Sequence, residues 1–135
     1  MTQLTVIQRY YDLLFNEGRV ELVRELLHPE YVNHSPGWPE LPRSRDGVAI
    51  VVQAMRAAFP DLHYTIEDLV TSDGAVAVRT RARGTHRGEF LGRPGSGKVF
   101  DVSQITIEHF RDGQIVAHHR VTDELGLQRQ LGLLG

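Results

Sequence analysis

The sequence predicts an α+β fold with a mainly antiparallel sheet. Over the first sixty residues apolar side chains recur at helical spacing, and from residue 62 onward the spacing is two. Helices first and strands later, with no internal repeat, is the α+β order rather than an alternating one. The 135 residues fit a single domain covering 1–135.

Residues 4–17 read as a helix, because Ile7, Tyr10, Tyr11 and Leu14 fall on one face. Thr2 is its candidate N-cap and Gly18 its stop. A second, short helix spans 20–27, with Val20, Val23, Leu26 and Leu27 inward, and His28-Pro29 ends it. Residues 35–45 contain three prolines and form a loop. A third helix runs over about 46–59, carries Val48, Val51, Val52, Met55 and Phe59 on one stripe, and stops at Pro60. Strands follow at 62–71, 75–83, 98–110 and 115–122, and Gly84 to Gly97, with five glycines, is a long loop. Asp123 opens a short C-terminal helix.

The last hairpin turns at Arg111-Asp112-Gly113, read as a three-residue loop with Gly113 left-handed. Phe110 then pairs with Gln114, which sets His118 opposite Thr106 and Arg120 opposite Gln104. One face carries Ile105, Ile107, His109, Ile115, Ala117, His119 and Val121. The other carries Phe100, Val102, Gln104, Thr106, Glu108, Phe110, Val116, His118, Arg120 and Thr122. Its apolar ends and polar middle suit a ligand cavity. The first face has fewer charges and suits a homodimer interface through Ile105, Ile107, Ile115 and Val121. The plain alternative packs the first face on the helices and leaves the second to water.

Composition narrows the function. Without cysteine there is no disulfide, no thiolate nucleophile and no cysteine-based zinc site. The net charge of -2 offers no basic field for nucleic acid. No apolar stretch is long enough to cross a membrane, and the N-terminus lacks a signal-peptide pattern, so a cytoplasmic protein is expected. The segment Gly92-Arg-Pro-Gly-Ser-Gly97-Lys98 imitates a phosphate-binding loop, but Val99 and a strand follow where a Ser or Thr and a helix are needed. His118 and His119 are adjacent on a strand, point to opposite faces and cannot share a metal; no metal site is expected.

His118 is a candidate general base, or a hydrogen-bonded strand residue. Arg120, half-buried, needs a partner, with Glu108 and Asp68 as candidates; it either clamps a ligand oxygen or forms a structural ion pair. Asp123 is a helix cap or an acid/base at the cavity rim. Asn33 and His34, on a short extended run, are turn formers or polar groups reaching the cavity. Tyr10, Tyr11, Tyr64, Trp38 and Phe59 are candidate apolar walls.

Several stretches carry a resemblance covering nearly the whole chain. They are His28-Pro-Glu-Tyr-Val-Asn33, Gly84-Thr-His86-Arg-Gly88-Glu-Phe-Leu-Gly92-Arg-Pro94, Asp112-Gly113-Gln-Ile115, and Asp123 with Gly126 and Gln130-Leu-Gly132. In their order and spacing the chain resembles the SnoaL-like polyketide cyclases of the nuclear-transport-factor-two-like superfamily. The resemblance implies a cone-shaped barrel: a strongly curved sheet wrapped around three N-terminal helices, with a deep apolar cavity. It also implies dimers or tetramers associating through the sheet, and intramolecular aldol ring closure of an aromatic polyketide ester without metal or organic cofactor. The family's substrate-binding asparagine falls on Asn33. Its catalytic histidine falls on Thr106 and its aspartate on Arg120, two departures on the cavity face.

An aldol route here therefore needs other groups. His118 is the expected relocated imidazole, Glu108 the expected carboxylate and Arg120 the enolate stabiliser, with Asp123 at the rim. Asn33, His34, Tyr64, Gln104 and Thr106 are the expected substrate contacts, and the ligand a small apolar or aromatic carbonyl compound. Two other readings stand beside this one: a binding protein that kept the cavity without the chemistry, and an epoxide hydrolase using Arg120 with Asp68, Glu108 or Asp123.

Overall fold

The computed structural model describes residues 1–134. Helix α1 (Gln3–Arg9) starts at Thr2, whose hydroxyl accepts the Thr5 N–H at 3.1 Å. The expected continuous helix changes character at Tyr10: Tyr10–Phe15 is a π-helix, with the Asn16 N–H donating to the Tyr11 carbonyl at 2.9 Å. A hydrogen bond spanning five residues brings positions five apart onto one face. The Tyr10 and Phe15 rings accordingly lie 5.0 Å apart, and Tyr10, Tyr11, Leu14 and Phe15 are all buried. An ordinary α-helix would turn Phe15 away from Tyr10.

A 3-10 turn (Val20–Leu22) leads into α2 (Val23–Leu26), shorter than the helix expected over 20–27. The chain then enters β1 (Leu27–Asn33), a strand absent from the sequence reading. Pro29 is tolerated there because β1 is an edge strand. Helix α3 (Arg45–Ala58) buries Val48 and Val52. Four strands follow: β2 (His63–Ser72), β3 (Ala75–Thr85), β4 (Val99–Arg111) and β5 (Gln114–Thr122), before α4 (Glu124–Gln130). Gly92 to Lys98 runs straight into β4, with no helix to receive a phosphate.

The sheet order is β1-β5-β4-β3-β2. The pairs β2–β3, β3–β4 and β4–β5 are antiparallel, whereas β1 runs parallel to β5. This corrects the barrel expectation. The fold is α+β, but its sheet is mixed and open, with β1 and β2 as unjoined edges, and it is not a strongly curved cone. Closure would require β1 to pair with β2, and no such ladder exists among the described residues.

The β4–β5 register also differs from the expected one. Asp112 (φ 55) and Gly113 (φ 76) form a two-residue turn with both central residues left-handed. Such a turn pairs Arg111 with Gln114 and Phe110 with Ile115. A bulge then leaves Val116 unpaired, and beyond it His109 faces Ala117. The extra residue restores the alternation that the two-residue turn would have inverted. His118 therefore sits opposite Glu108, not Thr106, and Arg120 opposite Thr106, not Gln104. The bulge also moves Ile115 off the face assigned to it. Ile115 is fully buried, while Ile105, Ile107 and Val121 are 51%, 43% and 77% exposed.

Candidate active site

One face of the sheet packs on the helices around a core that includes Val6, Ile7, Leu14, Val52, Phe59, Val76, Val78 and Phe100. A cavity of about 240 Å³ remains beside it. Its aromatic wall comes from Tyr10, Tyr11 and Phe15 of the π-helix, Tyr31 of β1 and Tyr64 of β2, joined by Trp38 and Phe90 from loops. Its polar wall is Asn33, Gln104, His118, Arg120 and Thr122. Phe59 lies outside the cavity, in an aromatic cluster with Phe90 and Phe100 at ring separations of 5.0 and 4.9 Å.

Strand pairing explains the polar wall. Alternation turns Phe100, Val102, Gln104, Thr106 and Glu108 of β4 inward, and all five are buried. Glu108 is fully buried, and its Oε1 is hydrogen-bonded to His118 Nδ1 on β5. Glu108 Oε2 is buried without a partner among the described residues. With Nδ1 held by the carboxylate, His118 Nε2 has no hydrogen-bond partner among the described residues, and His118 lines the cavity. Thr106 lies behind the wall and shares a hydrogen bond of 3.1 Å with the Tyr11 hydroxyl.

Arg120 is tied to neither of its expected partners. Glu108 is engaged by His118, and Asp68 is exposed on β2, where its carboxylate accepts from the Leu69 N–H. The guanidinium instead donates to the Ser35 carbonyl at 2.9 Å and to the Thr122 hydroxyl at 2.7 Å. Thr122 in turn donates to Gln104 Oε1 at 2.9 Å. Exposed Glu124 lies 3.7 Å from Arg120, a weak screened contact. The guanidinium is thus held in place without a buried carboxylate to neutralise it.

Besides Thr106 and Glu108, which sit behind the wall, two more expected site residues lie off the cavity. Asp123 is exposed and accepts the Gly126 N–H at 2.8 Å, so it caps α4 and does not line the cavity. His34 stacks on His119 with ring centroids 4.7 Å apart, on the opposite side of the sheet. Parallel pairing aligns Asn33 with His118, so the next residue turns away from the cavity. Asn33 accepts the Ser35 N–H at 2.8 Å while lining the cavity. Tyr31, Leu91 and Ser35 join the site without a signal in the sequence pattern. Tyr31 was hidden by the unrecognised β1, and Ser35 and Leu91 sit in loops that carry no periodic signal.

The cavity keeps its tyrosines neutral. Burial pushes the Tyr10, Tyr11 and Tyr31 hydroxyls well above the usual phenol range, and the Glu108 charge adds to this. Burial also pushes Tyr64 up to about 12, against the opposing pull of Arg120. Four neutral phenols, one imidazole braced by a carboxylate and one guanidinium whose nearest carboxylate is an exposed one suit proton transfer at a carbon next to a carbonyl. Among the described residues no three His, Asp or Glu side chains are grouped to hold a metal.

Residues 5–131 match the profile of the SnoaL-like polyketide cyclase family. The chain belongs to that family, within the nuclear-transport-factor-two-like superfamily. It is similar to aklanonic acid methyl ester cyclase AcmA of Streptomyces galilaeus, 33% identical over 96% of this chain and 90% of that protein. Among solved structures, TsrD of Streptomyces laurentii is 31% identical and superposes with a TM-score of 0.87, covering 97% of this chain and 95% of that one. IdmH of Streptomyces antibioticus is 37% identical, with a TM-score of 0.85 over 98% and 99% of the two chains. These SnoaL-like relatives include enzymes. In this chain Arg120 faces Thr106 across the β4–β5 ladder, and His118 faces Glu108 two residues along.

Proposed function

We propose that the protein is a cofactor-independent cyclase that closes a ring in an aromatic polyketide ester by intramolecular aldol addition. The observation that carries this reading is that His118, hydrogen-bonded to buried Glu108, shares the cavity wall with Arg120. His118 Nε2 removes a proton from a carbon flanked by carbonyl groups. Arg120 donates to the resulting enolate oxygen. The enolate carbon bonds to a second carbonyl carbon of the same molecule, and His118 Nε2–H returns the proton to the new alkoxide. Glu108 touches no substrate; it keeps the proton on Nδ1 and steadies the transient imidazolium. Asn33, Tyr64 and Gln104 orient the substrate, and the neutral tyrosines supply an apolar bed. The names of AcmA and its relatives, cyclases of aklanonic acid methyl ester, support the substrate class.

The test is turnover of aromatic polyketide methyl esters followed by mass spectrometry. Wild type is expected to give a ring-closed isomer of unchanged mass. His118→Ala and Arg120→Ala are each expected to lose about 100-fold or more in kcat. Binding with no product from any ester would favour a non-catalytic binding protein, a reading supported by Thr106 and Arg120 at the family's acid/base positions. Epoxide hydrolysis is less well supported, because no two carboxylates flank Arg120. We further propose that the chain acts as a single-domain homodimer through the exposed face bearing Ile105, Ile107 and Val121, without Ile115.

A further inference from the structure

Leu91 occupies a backbone conformation that its side chain disfavours. The loop before β4 contains a tight hairpin in which Phe90 and Arg93 exchange hydrogen bonds of 2.9 and 3.0 Å. Its two central residues are Leu91 (φ 51) and Gly92 (φ 77). Both being left-handed, the turn favours Asn, Asp or Gly at the first position. The same chain builds the same turn again between β4 and β5, with Asp112 (φ 55) and Gly113 (φ 76). There, remote from the cavity, the first position holds the residue that the turn prefers. At the cavity it holds an apolar γ-branched residue, 52% exposed although it lines the cavity wall.

Two costs therefore meet at Leu91: a left-handed non-glycine backbone and an apolar side chain in water. Neither is offset by burial against the protein's own atoms. A ligand would offset both. The cavity, at about 240 Å³, is smaller than the 300–1,000 Å³ typical of sites for drug-sized molecules, so a polycyclic ester must project past its rim.

We propose that Leu91 is a specificity-determining residue that packs on the projecting apolar part of the substrate. The proposal rests on the reading of the cavity as a polyketide site. It assigns Leu91 to uniform binding, not to the chemical step. The chain's single tryptophan, Trp38, lines the same cavity and reports occupancy directly.

The test compares wild type with Leu91→Asn, using quenching of Trp38 by 1,8-dihydroxyanthraquinone, thermal melting, and turnover of a polyketide ester. Leu91→Asn suits the turn and is expected to raise Tm by about 3–6 °C. It is expected to weaken anthraquinone binding about fivefold and to raise KM to a similar extent with kcat kept. Unchanged affinity would overturn the proposal. So would a fall in Tm alongside the loss of affinity, since Leu91 would then be a structural part of the rim. If wild type turns over no ester, the cyclase reading fails, while the anthraquinone measurement still decides the role of Leu91.

Discussion

Glu108 and His118 face each other across adjacent strands, and their value depends on charge as well as shape. Glu108→Gln preserves the outline of the pair but removes the anion that steadies an imidazolium. Its kcat is expected to fall about 100-fold or more at unchanged Tm, and turnover of the purified variant beside its thermal melt checks this. Asp123→Asn separates cap from catalyst: asparagine caps as well as aspartate, so stability and turnover are both expected to persist. A loss of kcat at unchanged Tm would return Asp123 to the site. At this scale the sequence was partly legible. Alternation alone puts Glu108, His118 and Arg120 on one face. The direction of His34 was not legible, because it depends on how β1 aligns with β5, and that ladder joins residues far apart in the chain.

The β4–β5 hairpin carries the site, and its geometry depends on a turn and a bulge acting together. Gly113 has open space where a Cβ would stand, so Gly113→Ala tests backbone conformation alone. It is expected to cost about 1–2 kcal/mol in urea unfolding, from the positive φ that alanine resists. The strands β2 to β5 were legible because each is long and alternates. The bulge was not: in Ile115-Val116-Ala117-His118 every residue before the histidine is apolar, so nothing in the pattern marks which one is left unpaired. Strand β1 was hidden by Pro29, which reads as a helix terminator, and by its exposed centre. The π-helix was also invisible, because the i, i+3, i+4 pattern of Ile7, Tyr10 and Tyr11 is fully satisfied by an ordinary helix.

For the molecule as a whole, all four tyrosines are buried with their hydroxyls held neutral. Their folded pKa values lie above the unfolded value near 10, so the unfolded chain releases protons first as pH rises. Stability is fully present below about pH 10 and is lost above it, with a slope of up to roughly 5 kcal/mol per pH unit for four such groups. Tyr64→Phe should remove about a quarter of that slope. Urea midpoints that stay level from about pH 9 to about pH 11.5 would refute this. Association through the exposed face is checked separately: Ile107→Glu is expected to convert the proposed dimer to monomer in light scattering, with Tm little changed. The overall order of helices then strands was legible from periodicity. The openness of the sheet was not, since a run of antiparallel strands reads the same whether or not its edges meet.

The parallel seam between β1 and β5 has a consequence for how the protein comes into being. Ser35 and Arg120 are 85 positions apart and bond directly, and Asn33 aligns with His118 just beside them. A chain emerging from the ribosome thus presents most of its aromatic wall well before His118, Arg120 and Thr122. Until the final strand is released, the hollow is a greasy cleft with an unmatched edge. The step that completes the reactive wall is the same step that covers that edge, so a truncated or stalled copy would be both inert and prone to clumping.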